Sequence, residues 1–516
     1  MISQDRSSHR RTPDDRSRRA RHRSHRLPLP PGSGGDGTSV AAIAGAALEE
    51  VAGGRLAELP LTVRFWDGSS LPAATRTAAT HTAATQTAAT QTAASHTAAS
   101  HSGGSAPQTD GGSGAPVVVA ADRRALSHLL RDPGELGLAR AWVDGSLTVA
   151  GDLEDVLTVR QELPPLRLTI GERLRLALQA VRAAGLGVLR MPPIPSIEAT
   201  VGRRRLLSRD HDGGRRHSVD RDRRAVRHHY DVSNDFYRLL LGPSLVYSCA
   251  YFASPDDTLE EAQEHKLDLI CRKLCLAPGE RLLDIGCGWG SLVIHAASRY
   301  GVRAVGVTLS EPQAQLARER VREQGLQDRV EIRVTDYREL HDRPFQKIAS
   351  VGMYEHVGRA ELGDYVRTVN SLLAPGGLFL NHGIARLHSE PPSSDTFITR
   401  YVFPDGELHP VGDLLGELAA VGLEIRDLES LREHYPLTLR RWLANLRARR
   451  AEAVGLVGSE RERAWTLYML GSALAFERGD ITVYQALAAR GGASHRLPLD
   501  RVQMLTTKPA AVSGRD

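Results

Sequence analysis

Cysteine is scarce in this chain, with four thiols among 516 residues and no CxxC pair. So few thiols make no disulfide framework, and a reducing cytosol is the expected compartment. Cys271 and Cys275 fall one helical turn apart, but no neighbouring Cys or His completes a ligand set. Buried thiols are therefore expected there, and no metal. Long apolar runs are also missing. No stretch reaches the roughly eighteen apolar residues that a spanning helix needs. The paired arginines near the start precede no apolar h-region, so no signal peptide is expected. A soluble protein that meets a membrane only at its surface is compatible with these absences.

What is present is uneven. The formal net charge is +5 and the pI about 9.1, but the excess is concentrated in residues 1–37 and in Arg203 to Arg227. Blocks of this kind are solvated and hold acidic partners such as anionic lipid or nucleic acid. Residues 1–37 contain too little apolar surface to fold and read as a disordered basic tail. A helix is expected from Val40, then a strand in LPLTVRFWDGS. A TAATx repeat from about Thr77 to Ser100 reads as a low-complexity insert between two strands, the second being APVVVAAD. Arg167 to Ala184 has a helical pattern of Leu and Arg, ended by MPPIP.

From His228 onward strands alternate with helices. The strands are RLLDIG, VRAVGVTLS, RVEIRVTD, FQKIASVGM and GGLFLNHGI. That alternation predicts an α/β fold with a mostly parallel sheet, whose ligands bind beyond the carboxyl ends of the strands. The first strand runs into Asp284 and a turn with Gly286, Gly288 and Gly290. Glycine there allows a tight turn and close approach to a ligand, and the following helix offers unpaired N–H groups. NAD, FAD and S-adenosylmethionine sites all use such a turn. A dinucleotide enzyme would carry an acid after the second strand to hold the ribose. This chain has Thr308-Leu309-Ser310 and Gln313 there, which disfavours NAD. Asp336-Tyr337 after the third strand place an acid and an aromatic face where an adenine would lie. This is the layout of a Rossmann-like class I S-adenosylmethionine methyltransferase.

Five motifs narrow the choice: HHYDVSNDFYRLLLGPSLVYSCAYF (228–252), LLDIGCGWGS, GVTLSEPQ, VGMYEHVGR (351–359) and FLNHGI (379–384). With KLDLICRKL and REHYPLTLRRW they resemble cyclopropane-fatty-acyl-phospholipid synthases from His228 to about Gly491. GELGLARAWVDGSL resembles the small α+β N-terminal domain of the full-length bacterial enzymes. The resemblance implies a cofactor site of Tyr247, Ser248, the Asp284 to Gly290 turn, Thr308, Leu309, Gln313, Asp336 and Tyr337. It also implies a bicarbonate ion serving as general base, held at Cys249, Glu355, His382, Ile384 and Tyr435.

The implied reaction has its own physical demands. An alkene is a feeble nucleophile, so a methyl sulfonium must be held in line with its π bond, away from water. Methyl transfer leaves a carbocation, which the faces of Tyr247, Phe252 and Tyr435 would stabilise by about 1–2 kcal/mol each. A base then removes a proton so that the ring closes. Two departures from the family pattern stand out. Ser472 replaces a cysteine frequent in the late helix, and Gly383 replaces the threonine common in cyclopropane-forming members. The second leaves a methylene- or methyl-branched product as an alternative. A catalytically inactive basic protein binding membrane or nucleic acid is the reading from a different class.

The expected organisation is a basic tail (1–37) and an N-terminal lipid-engaging domain (38–185) with its insert at about 73–115. A basic linker (186–227), the methyltransferase domain (228–496) and a tail (497–516) follow. The stretch between the fifth strand and His434 is expected to be helical and to cover the acyl pocket. Expected partners are unsaturated phospholipid and the membrane surface, with a homodimer as an option and no specific nucleic acid. The expected location is cytoplasmic, at the inner face of the membrane.

Overall fold

Strands buried on both faces read as near-continuous apolar runs, and five of them build the centre of this protein. A computed structural model describes residues 39–52, 60–73, 115–162, 169–198, 233–387, 396–404 and 406–506. The first 38 residues, the TAATx repeat and the basic stretch from Arg203 to Arg227 lie outside the described residues, as does the HHYDV start of the longest motif.

A small sheet comes first: β1 (Thr62–Arg64), β2 (Ser70–Leu71), β3 (Val117–Ala120) and β4 (Leu147–Ala150), in the order β2-β1-β3-β4. The repeat therefore joins β2 to β3, the strands on either side of β1. The large sheet contains β5 (Arg281–Ile285), β6 (Arg303–Thr308), β7 (Val330–Val334), β8 (Phe345–Val351), β9 (Leu373–Arg386), β10 (Leu423–Ser430) and β11 (Ile481–Arg490). Its order is β10-β11-β9-β8-β5-β6-β7. Strands β5 to β9 pair in parallel, whereas β11 pairs antiparallel with both β9 and β10.

From β5 the chain builds outward in one direction through β6 and β7, then in the other through β8 and β9. The end of β5 is thus the switch point at which open α/β sheets bind ligands. One face is covered by the helices Leu259–Lys273, Ser291–Tyr300 and Glu311–Glu323, whose Ile270, Val293 and Ala317 share a core cluster. The other is covered by Leu362–Leu372 and Val411–Ala420, through Val366, Val369 and Leu418. A third cluster joins the helices Asn234–Leu241, His434–Ala448 and Ser459–Arg478.

The N-terminal domain is attached to this helical layer by specific contacts. Trp142 Nε1 donates to the Arg463 carbonyl at 2.9 Å, and the Arg463 guanidinium lies 4.0 Å over the Trp142 ring. Buried Arg140 forms a two-pronged pair with Glu198, whose carboxylate also accepts from the Tyr401 hydroxyl.

Three expectations need correction. The stretch before His434 is only partly a helical cover: the Val411–Ala420 helix packs under the sheet and is followed by β10, while the short Phe397–Tyr401 helix shares the cluster of Tyr247, Cys249 and Tyr435. Residues 497–506 are not a loose tail. Arg501–Thr506 is a helix whose Met504 is buried and whose Leu505 carbonyl accepts from Arg272. The first part of the expected linker is built into the fold, with Val188, Pro192, Pro195 and Glu198 buried.

Candidate active site

Strand β5 ends by necessity in glycine. Gly286, Gly288 and Gly290 have φ of 82°, 54° and 79°, a region that disfavours side chains. The turn is pinned by the Val307 carbonyl, which accepts from Gly286 N at 3.0 Å and Cys287 N at 2.9 Å. Cys287 fits because a Cβ on Gly306 would come within 2.8 Å of its sulfur.

Beyond this turn lies a cleft of about 1250 Å³, part of it open to solvent. Tyr247, Ser248, Asp284, Gly286, Gly288, Thr308, Leu309, Gln313, Asp336 and Tyr337 all line it. Gly290 does not. It starts the Ser291–Tyr300 helix, and a Cβ there would meet Ala317 at 3.2 Å. Its role is close helix packing below the cleft.

Local chemistry orients these groups. The Thr308 hydroxyl donates to Gln313 Oε1 at 2.9 Å, leaving the amide nitrogen directed toward Gly288. Ser310 caps the Glu311–Glu323 helix through Gln313 N. The Asp336 carboxylate, expected to accept from an adenine, is already engaged by Arg338 through its backbone N–H and its guanidinium at 2.7–2.9 Å.

Lys266 was not anticipated from the sequence. In LEEAQEHKLDLICRK it sits among charged neighbours, yet it is 2% exposed, lines the cleft and donates to Ser248 Oγ at 2.8 Å. Burial pushes its ammonium down to about 8, and burial pushes the Asp284 carboxyl up to about 7; the charge of each resists the shift of the other. Asp284 Oδ1 is buried without a hydrogen-bond partner. A cleft with a buried cation, a buried carboxyl and an unused acceptor suits a zwitterionic ligand, as the amino-acid end of S-adenosylmethionine is.

The five residues of the second set lie outside the wall of this cleft. His382 and Ile384 alternate on β9 and share one face. Glu355 reaches them from the 3-10 turn Tyr354–His356, and its Oε1 accepts from Ile384 N at 2.7 Å. Its Oε2 is sealed from solvent with no partner. Burial raises this carboxyl to about 7 against the pull of the Ile384 N–H. Burial drives His382 well below the usual imidazole range, helped by the charges of Lys266 and Lys273. Gln485 Nε2 donates to its Nδ1 at 3.3 Å. A neutral His382 then carries its proton on Nε2, and a protonated Glu355 carries one on Oε2. Two such donors suit a small anion. Cys249 is fully buried with its thiol on the Ala250 and Leu431 carbonyls, and burial pushes it far up, so it is no nucleophile. Tyr435 packs on Phe476 with ring centres 4.5 Å apart.

The aromatic wall differs from expectation. Phe252 belongs to a separate small cluster and stacks on His434, with Arg441 over its ring, so it is not part of the wall. Three of the five tryptophans stand nearer the cleft. Tyr247 lies 5.3 Å from Trp442 and 5.8 Å from Trp465, and Tyr237 lies 4.8 Å from Trp289. The signal available beforehand was helical spacing, Tyr435 with Trp442 and Trp465 with Tyr468. Ser472 sits half-buried on the Ser459–Arg478 helix.

Gly383 faces away from His382 and Ile384. A Cβ there would come within 2.9 Å of both Cβ and Cδ1 of Tyr354, a fully buried ring. Gly383→Thr is therefore expected to overpack this contact, destabilising the protein by about 1–3 kcal/mol. A thermal melt unchanged within a degree would contradict this. Because Tyr354 adjoins Glu355, turnover should fall as well.

The sheet order, the glycine turn at its switch point and the cleft define a class I S-adenosylmethionine-dependent methyltransferase. The family model for mycolic acid cyclopropane synthetase matches residues 217–486, and the chain belongs to that family. It is 41% identical over 373 residues to a probable fatty acid methyltransferase of Mycobacterium tuberculosis, covering 71% of this chain and 85% of that one. It is 39% identical over 263 residues to the cyclopropane-fatty-acyl-phospholipid synthase of Escherichia coli K12, covering 51% and 67%. Among solved structures, the M. tuberculosis cyclopropane synthase MmaA2 matches at 34% identity with a TM-score of 0.50, over 52% of this chain and 98% of that one.

Proposed function

We propose that this enzyme modifies lipid acyl chains, transferring a methylene unit from S-adenosylmethionine to the cis double bond of an unsaturated phospholipid to form a cyclopropane. The observation that carries this reading is the position of Tyr247, which both lines the cofactor cleft and packs in the aromatic wall. The names of the relatives, a fatty acid methyltransferase and a cyclopropane-fatty-acyl-phospholipid synthase, agree with it.

The cofactor supplies an electrophilic methyl group. Lys266, Ser248, Asp284 and Gln313 would hold and orient it from the cleft wall. Tyr247, backed by buried Trp442 and Trp465, would present a π face that stabilises positive charge on an apolar chain and keeps water away from it. Bicarbonate supplies a small base needing no long side chain, and Glu355 Oε2, His382 Nε2 and the backbone near Cys249 would hold it. Burial keeps Glu355 protonated below about pH 7, so there it donates to an anion without repelling it.

A methylene- or methyl-branched product is the second reading. It rests on the departure from the family's threonine at Gly383, a position that faces Tyr354 rather than the His382 and Ile384 side of β9. Proton NMR of lipid recovered after incubation with S-adenosylmethionine and cis-monounsaturated phospholipid vesicles separates the two. Upfield ring-methylene protons are the expected result. Vinylidene protons would transfer the conclusion to the branched product, and unchanged lipid would refute both for this substrate.

A further inference from the structure

Among the described residues, no helix is long and apolar enough to cross a membrane. One helix nevertheless turns leucines outward. Ile170, Leu174 and Leu178, spaced i, i+4 and i+8 on the Ile170–Ala184 helix, are 52–79% exposed. Leu186, Leu189 and Met191 continue the apolar surface past Gly185, each more than half exposed. Proteins rarely leave so many large apolar side chains contiguous in water unless something covers them.

The exposure is built into the fold. The helix starts at a capping box between Thr169 and Glu172. The turn after it is anchored by Val188, 1% exposed, whose carbonyl accepts from the buried Ser127 hydroxyl at 2.8 Å. Arg173 and Arg175 flank the apolar stripe near its start, and Arg182 and Arg190 near its end, all on the exposed side. The nearby Glu172 carboxylate is committed to Thr169. An apolar stripe edged with arginine is the pattern of a helix lying in the interface of a bilayer.

We propose that residues 170–191 form the docking element by which this enzyme seats on an anionic phospholipid surface. Leucine side chains enter the acyl boundary while guanidinium groups meet lipid phosphates. Charge selects this occupant over a second copy of the chain. A two-fold interface through this face would bring arginines from both copies together, whereas an anionic surface neutralises them. The proposal deepens the lipid reading above and rests on it for the nature of the surface.

The test is flotation of the full-length protein with phosphatidylglycerol vesicles and with phosphatidylcholine vesicles, alongside its sedimentation velocity. Wild type is expected to float preferentially with phosphatidylglycerol. Leu174→Glu/Leu178→Glu should weaken that binding roughly tenfold or more, and Arg173→Ala/Arg175→Ala should weaken it on phosphatidylglycerol alone. As a second probe, Leu178→Trp should shift its fluorescence to shorter wavelength on vesicles. Turnover of the same lipid dispersed in detergent micelles should be unchanged in the leucine variant. Unaltered flotation, or loss of a dimer with vesicle binding intact, would overturn the proposal. Vesicle binding that depends on Leu174 and Leu178 in a protein that turns over no lipid would support docking and defeat the proposed reaction instead.

Discussion

His382→Ala is expected to lower kcat/KM by about 10²–10⁴-fold, the range for losing a group that positions proton transfer. Its affinity for S-adenosylhomocysteine should be that of the wild type. The separation follows from geometry: His382 sits on β9, outside the wall of the cleft proposed to hold the cofactor, with Gln485 holding its Nδ1. Glu355→Gln divides the carboxyl's two roles. The amide oxygen keeps the Ile384 N–H, so folding is preserved, but the group no longer titrates. Wild-type kcat/KM should therefore fall as pH rises through about 7, where Glu355 ionises beside the anion it is proposed to hold, and the variant should lose that limb. Purging dissolved bicarbonate should lower wild-type turnover, and its return should restore it. A His382→Ala enzyme that turns over normally, or one that loses S-adenosylhomocysteine binding in parallel, would remove β9 from the proton-handling role.

Lys266→Met should have the next largest effect. The lysine is buried, donates to Ser248 and is the cation whose charge holds the Asp284 carboxyl down, so its removal leaves both groups uncompensated in a buried wall. A lower melting temperature and roughly 10²-fold weaker S-adenosylhomocysteine binding are expected, read by thermal melt and calorimetry. Adding Asp284→Asn removes the stranded carboxyl, so the melt should partly recover. Binding should not, since both groups face the cleft. If Lys266→Met binds the ligand normally, the lysine is a packing residue and the cleft is held by its backbone turn and Gln313.

These two experiments fall on different sides of what could be read from the chain. The glycine turn, the Thr308-Leu309 and Gln313 group and the parallel strands were legible because each follows from local backbone demands. A tight turn needs positive φ, and a strand buried on both faces needs an unbroken apolar run. The expectation that the whole stretch before His434 is helical missed β10 for a related reason. A strand at the sheet edge such as β10, mostly exposed in LEIRDLES, has no apolar run to announce it. Aromatic residue type alone puts Phe252 beside Tyr247 in a sequence reading, but in the fold its ring lies against His434, whose Nδ1 accepts from the Phe252 N–H.

The sequence by itself determined the α/β class, the switch point after β5 and most of the lining of the cleft beyond it, because backbone conformation and hydrophobic period are short-range properties. Only the tertiary structure decided that Lys266 is buried opposite Asp284, that Glu355 reaches across to Ile384, and that the tryptophans gather at Tyr247. It also decided that the leucines of residues 170–191 face outward. Those outcomes depend on which distant segments shield a group from water, and desolvation and charge pairing are set by packing across the whole fold.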